Sequence, residues 1–279
     1  MTLHEIFIVL ARSWRYVAAG ALLCCAAAVG IALLTPRVYR AEVVAVLTED
    51  ATGNPLSRIA GQFGGLAALG GVSLPTGSNR NETLALLKSR EFATRIIEDE
   101  GLMPVLFARR WDAGTRRWRV TNPADVPTLF DAWELFDKRI RTVIEDRDRG
   151  LVTLRIEMRD RKLAADLANS MVVKLNEALR QRKLQELDDS IEYLQRELVK
   201  TTLVQLRDAM ASVMETQVSE RMLATARKDY ALRVIDPART PDARRYVWPK
   251  PALAGALGLV LGGMLGFVAA RVKSYLRRA

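Results

Sequence analysis

The sequence predicts an α+β membrane protein in which two transmembrane helices, one N-terminal and one C-terminal, flank an α+β base carrying a long helical arm. Three observations predict it. Residues 16–35 (YVAAGALLCCAAAVGIALLT) and 252–270 (ALAGALGLVLGGMLGFVAA) contain no charged side chain. Between Gly150 and Pro237 there is no glycine or proline, so a long helix can run without its two strongest breakers. Short β-branched runs before that stretch and at its two ends supply the strands. Averages hide this division: 279 residues, 42 Lys+Arg against 32 Asp+Glu and a net charge of +10 would suit a basic soluble protein.

Residues 1–15 and 271–279 read as short cytoplasmic flanks around spans at 16–35 and 252–270. A helix rises ~1.5 Å per residue, so ~20 apolar residues cross a ~30 Å hydrocarbon layer. The alternative for the first run is a cleaved signal peptide. Its apolar region exceeds the usual ~7–15 residues, and Leu33-Leu34-Thr35-Pro36 offers no small-x-small cleavage site. Orientation follows from basic residues beside the spans. Arg12 and Arg15 precede the first, and Arg271, Lys273, Arg277 and Arg278 follow the second, which puts both termini in the cytoplasm and residues 36–251 in the periplasm. Arg37, Arg40, Arg244, Arg245 and Lys250 also flank the spans on the far side. Within the second span Gly255, Gly258, Gly262 and Gly266 recur at steps of three and four, a strip on which another helix can approach closely.

The base is expected over 36–159. Tyr39–Leu47 reads as a strand. The apolar, glycine-rich stretch 56–74 is expected as a loop packed on the domain or at a subunit interface. Asn79–Gly101 shows helical spacing of Leu84, Leu87, Phe92, Ile96 and Ile97 and ends at its glycine. Residues 104–127, with Trp111, Trp118, Pro123 and Pro127, read as irregular, and Asp131–Arg139 as helical. Thr142–Glu145 and Leu151–Glu157 form a hairpin turning at Gly150. The arm is expected over 160–228, with Asp160 as N-cap. Leu163, Leu167, Met171, Leu175 and Leu179 form one stripe, which Leu187, Ile191, Leu194 and Leu198 resume. The weak helix formers Thr201-Thr202 divide it, with a second helix from Leu203 to about Lys228. Residues 229–251 then make a return strand and a stiff linker carrying Pro237, Pro241, Pro249 and Pro251.

The counts exclude whole reaction classes. His4 is the single histidine, and Cys24 and Cys25 lie inside the first span. Cysteine-nucleophile and Ser-His-Asp catalysis, Cys/His zinc sites and disulfides therefore drop out of the middle of the chain. The glycines at Gly70-Gly71 through Gly77-Ser78 lack the lysine of a P-loop. No enzymatic activity, cofactor or metal is expected. Carboxylates are plentiful enough to leave a glycosidase open on composition alone, although no signalled pocket presents a pair. A two-span periplasmic sensor or adaptor lacking an output domain is the other alternative.

Four segments, taken in order, carry a resemblance. They are Leu86–Phe92 (LLKSREF), Ser190–Arg207 (SIEYLQRELVKTTLVQLR), Leu223–Val234 leading into Ile235-Asp236-Pro237-Ala238, and Pro249-Lys250 before the glycine-rich span. With two terminal spans around them, the chain resembles the Wzz-type chain-length determinants, the polysaccharide co-polymerases of bacterial inner membranes. The likeness extends over essentially the whole chain, with Trp248 standing where the family usually has serine. It singles out Pro237, Pro241, Pro249 and Lys250 as linker residues. A homo-oligomeric ring or bell is implied, together with a Wzy-type polymerase as partner and an undecaprenyl-linked glycan, O-antigen or exopolysaccharide, as the polymer whose modal length is set. Only nine residues follow the second span, so the tyrosine kinase of a larger branch of the family is not expected in cis.

The charge divides accordingly. Six basic residues and one acid in the outer flanks give +5, while 36 basic against 31 acidic residues in 36–251 give the rest. That excess is spread thinly, so nucleic acid is not an expected partner.

Overall fold

The computed structural model describes residues 3–48 and 78–276, so the glycine-rich stretch at 56–74 lies outside the described residues, as do Arg277 and Arg278. The chain divides into two compact units, one holding 1–40, 158–161 and 241–279 and the other 41–157 and 162–240. The first unit contains helix α1 (Leu3–Leu34) and, at the other end of the chain, helix α8 (Pro251–Leu276). Each contains an 18-residue window long and apolar enough to cross a membrane, Val17–Leu34 and Pro251–Val268. The order of elements, helix, α+β region with a long helical hairpin, helix, follows the expected α+β class.

The second unit is built on a four-stranded sheet, ordered β4-β5-β1-β6. Its strands are β1 (Tyr39–Leu47), β4 (Arg141–Asp146), β5 (Leu151–Met158) and β6 (Leu232–Asp236). Period-two alternation explains the inner face: Ala41, Val43 and Ala45 of β1 and Val152, Leu154 and Ile156 of β5 are buried. The β4–β5 hairpin pairs Arg141 with Ile156 through to Asp146 with Leu151, and Gly150 takes the left-handed conformation its turn demands, φ +66°. β6 returns antiparallel to β1, with a bulge where Val44 and Ala45 face Asp236 and Val234. It begins at Leu232, later than the expected 229; just before it, the Ala231 amide donates to Asn176 Oδ1 while the Ala231 carbonyl accepts from Thr48 N.

Where one helix was expected over 79–101 there are two, α2 (Ser78–Lys88) and α3 (Arg90–Asp99). Ser89 is extended, φ −66° and ψ 153°, and its hydroxyl accepts from the Phe92 amide at 3.1 Å as the N-cap of α3. The carbonyls left open at the end of α2 are taken by Arg141, whose Nη1 donates to Leu87 O at 2.7 Å and whose Nη2 donates to Lys88 O at 2.9 Å. Arg141 is buried, its charge met by Asp137 at 2.5 Å. A buried cation satisfied on several sides thus holds a break that helical periodicity alone reads through.

The irregular stretch that follows contains a short helix α4 (Met103–Leu106) and a two-stranded ribbon, β2 (Trp111–Asp112) with β3 (Arg117–Trp118). In that ribbon Trp111 and Trp118 meet edge-on at 4.8 Å. Helix α5 (Leu129–Leu135) starts at a reciprocal Thr128/Asp131 capping box and ends in a π-turn over Phe136–Ile140, which buries both of those residues.

The longest element, α6 (Arg161–Lys200), spans ~60 Å at 1.5 Å per residue. Its stripe is buried at Leu167, Met171, Leu175, Leu179 and Leu187 and half-buried at Ile191, Leu194 and Leu198. The chain breaks at 201–203 and returns as α7 (Val204–Ala226). Contacts from Thr201 to Met210 and from Asp188 to Arg221 run antiparallel along the two helices. Lys174 ties α6 to the end of α3 through Asp99 at 3.0 Å and Glu100 at 2.9 Å.

Two asparagines on α6 close the sheet edge. Asn176 is 5% exposed; its Nδ2 donates to Leu232 O at 2.8 Å, and its Oδ1 accepts from Ala231 N at 2.9 Å and Leu232 N at 2.8 Å. Seven residues earlier on the helix, Asn169 Nδ2 donates to Ala238 O and its Oδ1 accepts from Ala238 N, both at 2.9 Å. The first residue of β6 and the residues just before and just after the strand are therefore paired with side-chain amides, at a strand with one free side among the described residues.

Asn176→Ala strands three buried backbone groups and should lower the stability of the folded chain by about 2–3 kcal/mol, read as a drop in the thermal midpoint in detergent. Acid sensitivity supplies a second test. The Ser170 hydroxyl and then the Lys174 ammonium hold the Glu100 carboxyl below its ordinary pKa of 4.5. That stabilisation is full above 4.5 and is lost as pH falls through the lower folded-state value. Ser170→Ala should flatten this acid limb of the midpoint-against-pH curve and leave the neutral-pH plateau nearly flat as before.

Candidate functional site

The residues singled out from the sequence fall at the paired terminal helices and the segment leading into the second. Gly255, Gly258 and Gly262 of α8 face α1. A Cβ added at Gly255 would meet Val29 Cγ2 at 3.2 Å, and one at Gly258 would meet Cys24 O at 2.8 Å and Cys25 Cα at 2.9 Å. At Gly262 it would meet Cys24 Cβ at 2.7 Å and Ala21 Cα at 2.8 Å, besides the carbonyl of Gly20. On α1, Gly20 makes the reciprocal approach, its would-be Cβ 3.1 Å from Gly266 Cα. The partners descend along α8 as they ascend along α1, so the helices are antiparallel. Backbones this close gain dispersion contact that larger side chains would prevent.

The sequence marks the α8 strip and leaves its partner open between the first span, rich in Ala and Gly, and a neighbouring subunit; it does not single out which face of α1 is used. Gly20, Cys24 and Ala28 recur every four residues on α1, and Cys24 and Ala28 both approach Gly258. Their signal is the same small-residue spacing, masked by a run in which almost every neighbour is also small.

The linker prolines are distributed between both units. Pro237 directly follows β6, and Pro241 O accepts weakly from Arg161 at 3.4 Å. Pro249 is buried, and Lys250, exposed, offers its carbonyl to Ala254 N in the first turn of α8. Just before them, Val38 N donates to Trp248 O and Val247 N donates to Val38 O, both at 2.8 Å. The strand leaving α1 and the segment approaching α8 therefore run side by side as an antiparallel bridge. Asn169, Asn176 and Arg141 went unremarked in the sequence; polar residues on helix or strand patterns carry no signal of the distant backbone they bind.

Among the described residues, the carboxylates with displaced pKa values all move one way. Glu145 is lowered by Arg80, Glu177 by Arg180 and then Gln181, Asp112 by the Thr115 hydroxyl and then the Gly114 amide, and Asp131 by the amide and then the hydroxyl of Thr128. Each is held ionised by a neighbour. Among the described residues no group of three or more His, Cys, Asp and Glu is placed to hold a metal ion.

The second unit leaves much apolar surface on its hairpin. Val199 is 88% exposed, Leu203 68%, Val204 70% and Met222 67%. These surround the α6–α7 turn or lie on α7.

No protein-family model matches the chain, and no curated protein matches it significantly. Among solved structures it is similar to a full-length bacterial polysaccharide co-polymerase, at 14% identity and a TM-score of 0.44 over 99% of each chain. It is also similar to a fragment of WzzB, a polysaccharide co-polymerase from Salmonella Typhimurium, at 11% identity and a TM-score of 0.32, covering 75% of this chain and 98% of that one.

The helix contact has a direct test. A Cβ at Gly255 would lie 3.6 Å from Cys25 Sγ. In a Cys24→Ser background, Gly255→Cys should form an intrachain disulfide with Cys25 under mild oxidation. Adding Gly262→Ile should sharply reduce its yield, because overpacking at this contact costs about 1–3 kcal/mol. Crosslinked dimers in place of the intrachain product would show that these glycines face another copy.

Proposed function

We propose that the chain is a non-catalytic regulator of polysaccharide chain length in a bacterial inner membrane, with α1 and α8 spanning the bilayer, both termini cytoplasmic and the α+β unit periplasmic. The polymer is a lipid-linked surface glycan, O-antigen or exopolysaccharide, extended by a Wzy-type polymerase from undecaprenyl-linked units. The observation that carries this reading is the order of features along the chain. An L-L-K-S-R-E-F helix break, a long helical hairpin, a strand ending in V-I-D-P-A and a glycine-striped apolar helix follow one another between two apolar helices that pair.

Physical features of the described residues support a scaffold. The carboxylates with displaced pKa values are all held charged by their neighbours. The apolar side chains left exposed around the α6–α7 turn favour association with further copies of the chain, a ring or bell in which each hairpin finds neighbours. Within this reading Gly255, Gly258, Gly262 and Gly266 pack the spans, and Pro237, Pro241, Pro249 and Lys250 shape the return to the membrane. The segments 36–159, 160–228 and 229–251 act as base, arm and linker.

Deleting the gene should remove the modal band from the cell's surface-glycan ladder while short and random lengths persist, and complementation by the full chain should restore it. An unchanged ladder sinks the reading. Loss of all polymer would instead make the chain part of the synthetic machinery itself.

A further inference from the structure

Several of the basic residues that the sequence spreads thinly over 36–251 are gathered by the fold in one place, in the segments of the first unit beside the apolar windows of α1 and α8. Thr35–Arg40, Met158–Arg161 and Pro241–Lys250 belong to this unit. Arg37, Arg159, Arg161, Arg244, Arg245 and Lys250 are exposed there, and the carboxylates of these three segments are Asp160 and Asp242. Among the described residues, no ion pair engages Arg37, Arg159, Arg244, Arg245 or Lys250.

Aromatic rings are interleaved with these cations. The Arg37 guanidinium stands 5.0 Å above the Tyr246 ring and that of Arg161 5.8 Å from the centre of Tyr39. Tyr39 Oη donates to Ala243 O at 3.4 Å, and Trp248 is 58% exposed. Asp242 turns the segment by accepting the Arg244 amide at 2.8 Å, and Arg245 N bonds Asp242 O at 3.0 Å, so neighbouring arginines leave a compact bend.

Position along the chain sets the depth. Arg37 lies three residues beyond the apolar window ending at Leu34, and Lys250 immediately precedes the one starting at Pro251. At ~3.3 Å per extended residue both fall within about 10 Å of the hydrocarbon boundary, in the headgroup layer. Tyrosine and tryptophan favour that layer, and a guanidinium fits phosphate oxygens with two parallel N–H donors. Basic residues on a translocated flank oppose the usual topological bias, so their concentration at this end needs a favourable partner.

We propose that this collar binds the phosphate groups of anionic phospholipids in the leaflet at this end of the helix pair, enriching such lipids around the two spans. The inference rests on the membrane-spanning reading of α1 and α8. Charge, ring spacing and depth all match a lipid surface, and the cations are spread around two helix ends as a headgroup layer requires.

Quenching of Trp248 tests it in the full chain reconstituted in vesicles of equal parts phosphatidylcholine and phosphatidylglycerol. In one set only the phosphatidylglycerol carries brominated acyl chains, and in the other only the phosphatidylcholine does. The Trp248 contribution is the difference between the wild type and Trp248→Phe. Brominated phosphatidylglycerol should quench it about three- to fivefold more than brominated phosphatidylcholine, a preference that weakens with salt. The triple variant Arg37→Gln, Arg244→Gln, Arg245→Gln should bring the two to parity with Trp248 still quenched, and the corresponding triple lysine variant should keep most of the preference. Parity in the wild type overturns the proposal. So does a preference abolished by inorganic phosphate at constant ionic strength, which would mark a site for soluble phosphate. Quenching by neither lipid would overturn the spanning reading itself, and the lipid proposal with it.

Discussion

The pairing of the first strand with the last is the constraint on which the second unit depends. β1 comes directly after α1 and β6 shortly before α8, nearly two hundred residues apart in the chain, yet they are neighbours in the sheet. Such a contact closes a very long loop, and its entropic cost must be met by interactions at the strand itself. β6 has five residues and, among the described residues, one neighbouring strand. The Asn176 and Asn169 amides provide what is missing, matching donor to carbonyl and acceptor to amide on the side away from β1. Asn176 is buried beside Met171, Val172 and Leu175, so water cannot readily replace it once these apolar neighbours have packed.

A similar economy governs the helix break. Phe92, Ile96 and Ile97 must point into the core together with Leu84 and Leu87, and one straight helix reads plausibly from that spacing. The structure instead ends α2 at Lys88 and restarts at Arg90. Ser89 satisfies an amide of the new helix, and Arg141, from the start of β4, satisfies carbonyls of the old one. The same residue thereby joins helix, strand and π-turn, since Asp137 neutralises it and Phe136 packs 5.7 Å from its guanidinium.

Legibility in the sequence followed the range of the interaction. Tyr39–Leu47, the hairpin at Gly150, the start of α6 after Asp160 and its break near Thr201-Thr202 were all readable, because alternation, a turn glycine and helix propensity act within a few residues. Ser89 was visible as a residue and invisible as a cap, since its neighbours on both sides are good helix formers and the deciding partner, Arg141, lies 53 residues away from Lys88. For the paired helices, the strip on α8 stood out against larger neighbours. Its complement on α1 did not, because Ala, Gly and Cys occupy most of that helix and any face looks small. Which face is used is settled by shape between two helices, a property that one periodicity cannot carry.

The hairpin of α6 and α7 presents the opposite situation, a pattern easily read whose satisfaction is incomplete. The α6 stripe is buried from Leu167 to Leu187, while beyond it Ile191, Leu194 and Leu198 retain part of their exposure. α7 buries Ala224 and leaves Val204, Leu206, Val213 and Met222 in the open. Two helices in contact cover one stripe each, and a helix in water gains most of its stability from such covering rather than from intrinsic propensity. Val199, Leu203 and Val204, all largely exposed, sit where the two helices meet at their turn. Their burial against further copies of the chain would contribute about 1.5–3 kcal/mol per large side chain without adding a single residue to the fold. An assembly formed this way couples stability of the hairpin to assembly itself. A substitution at the turn would then act first on association between copies and only secondarily on the folded base.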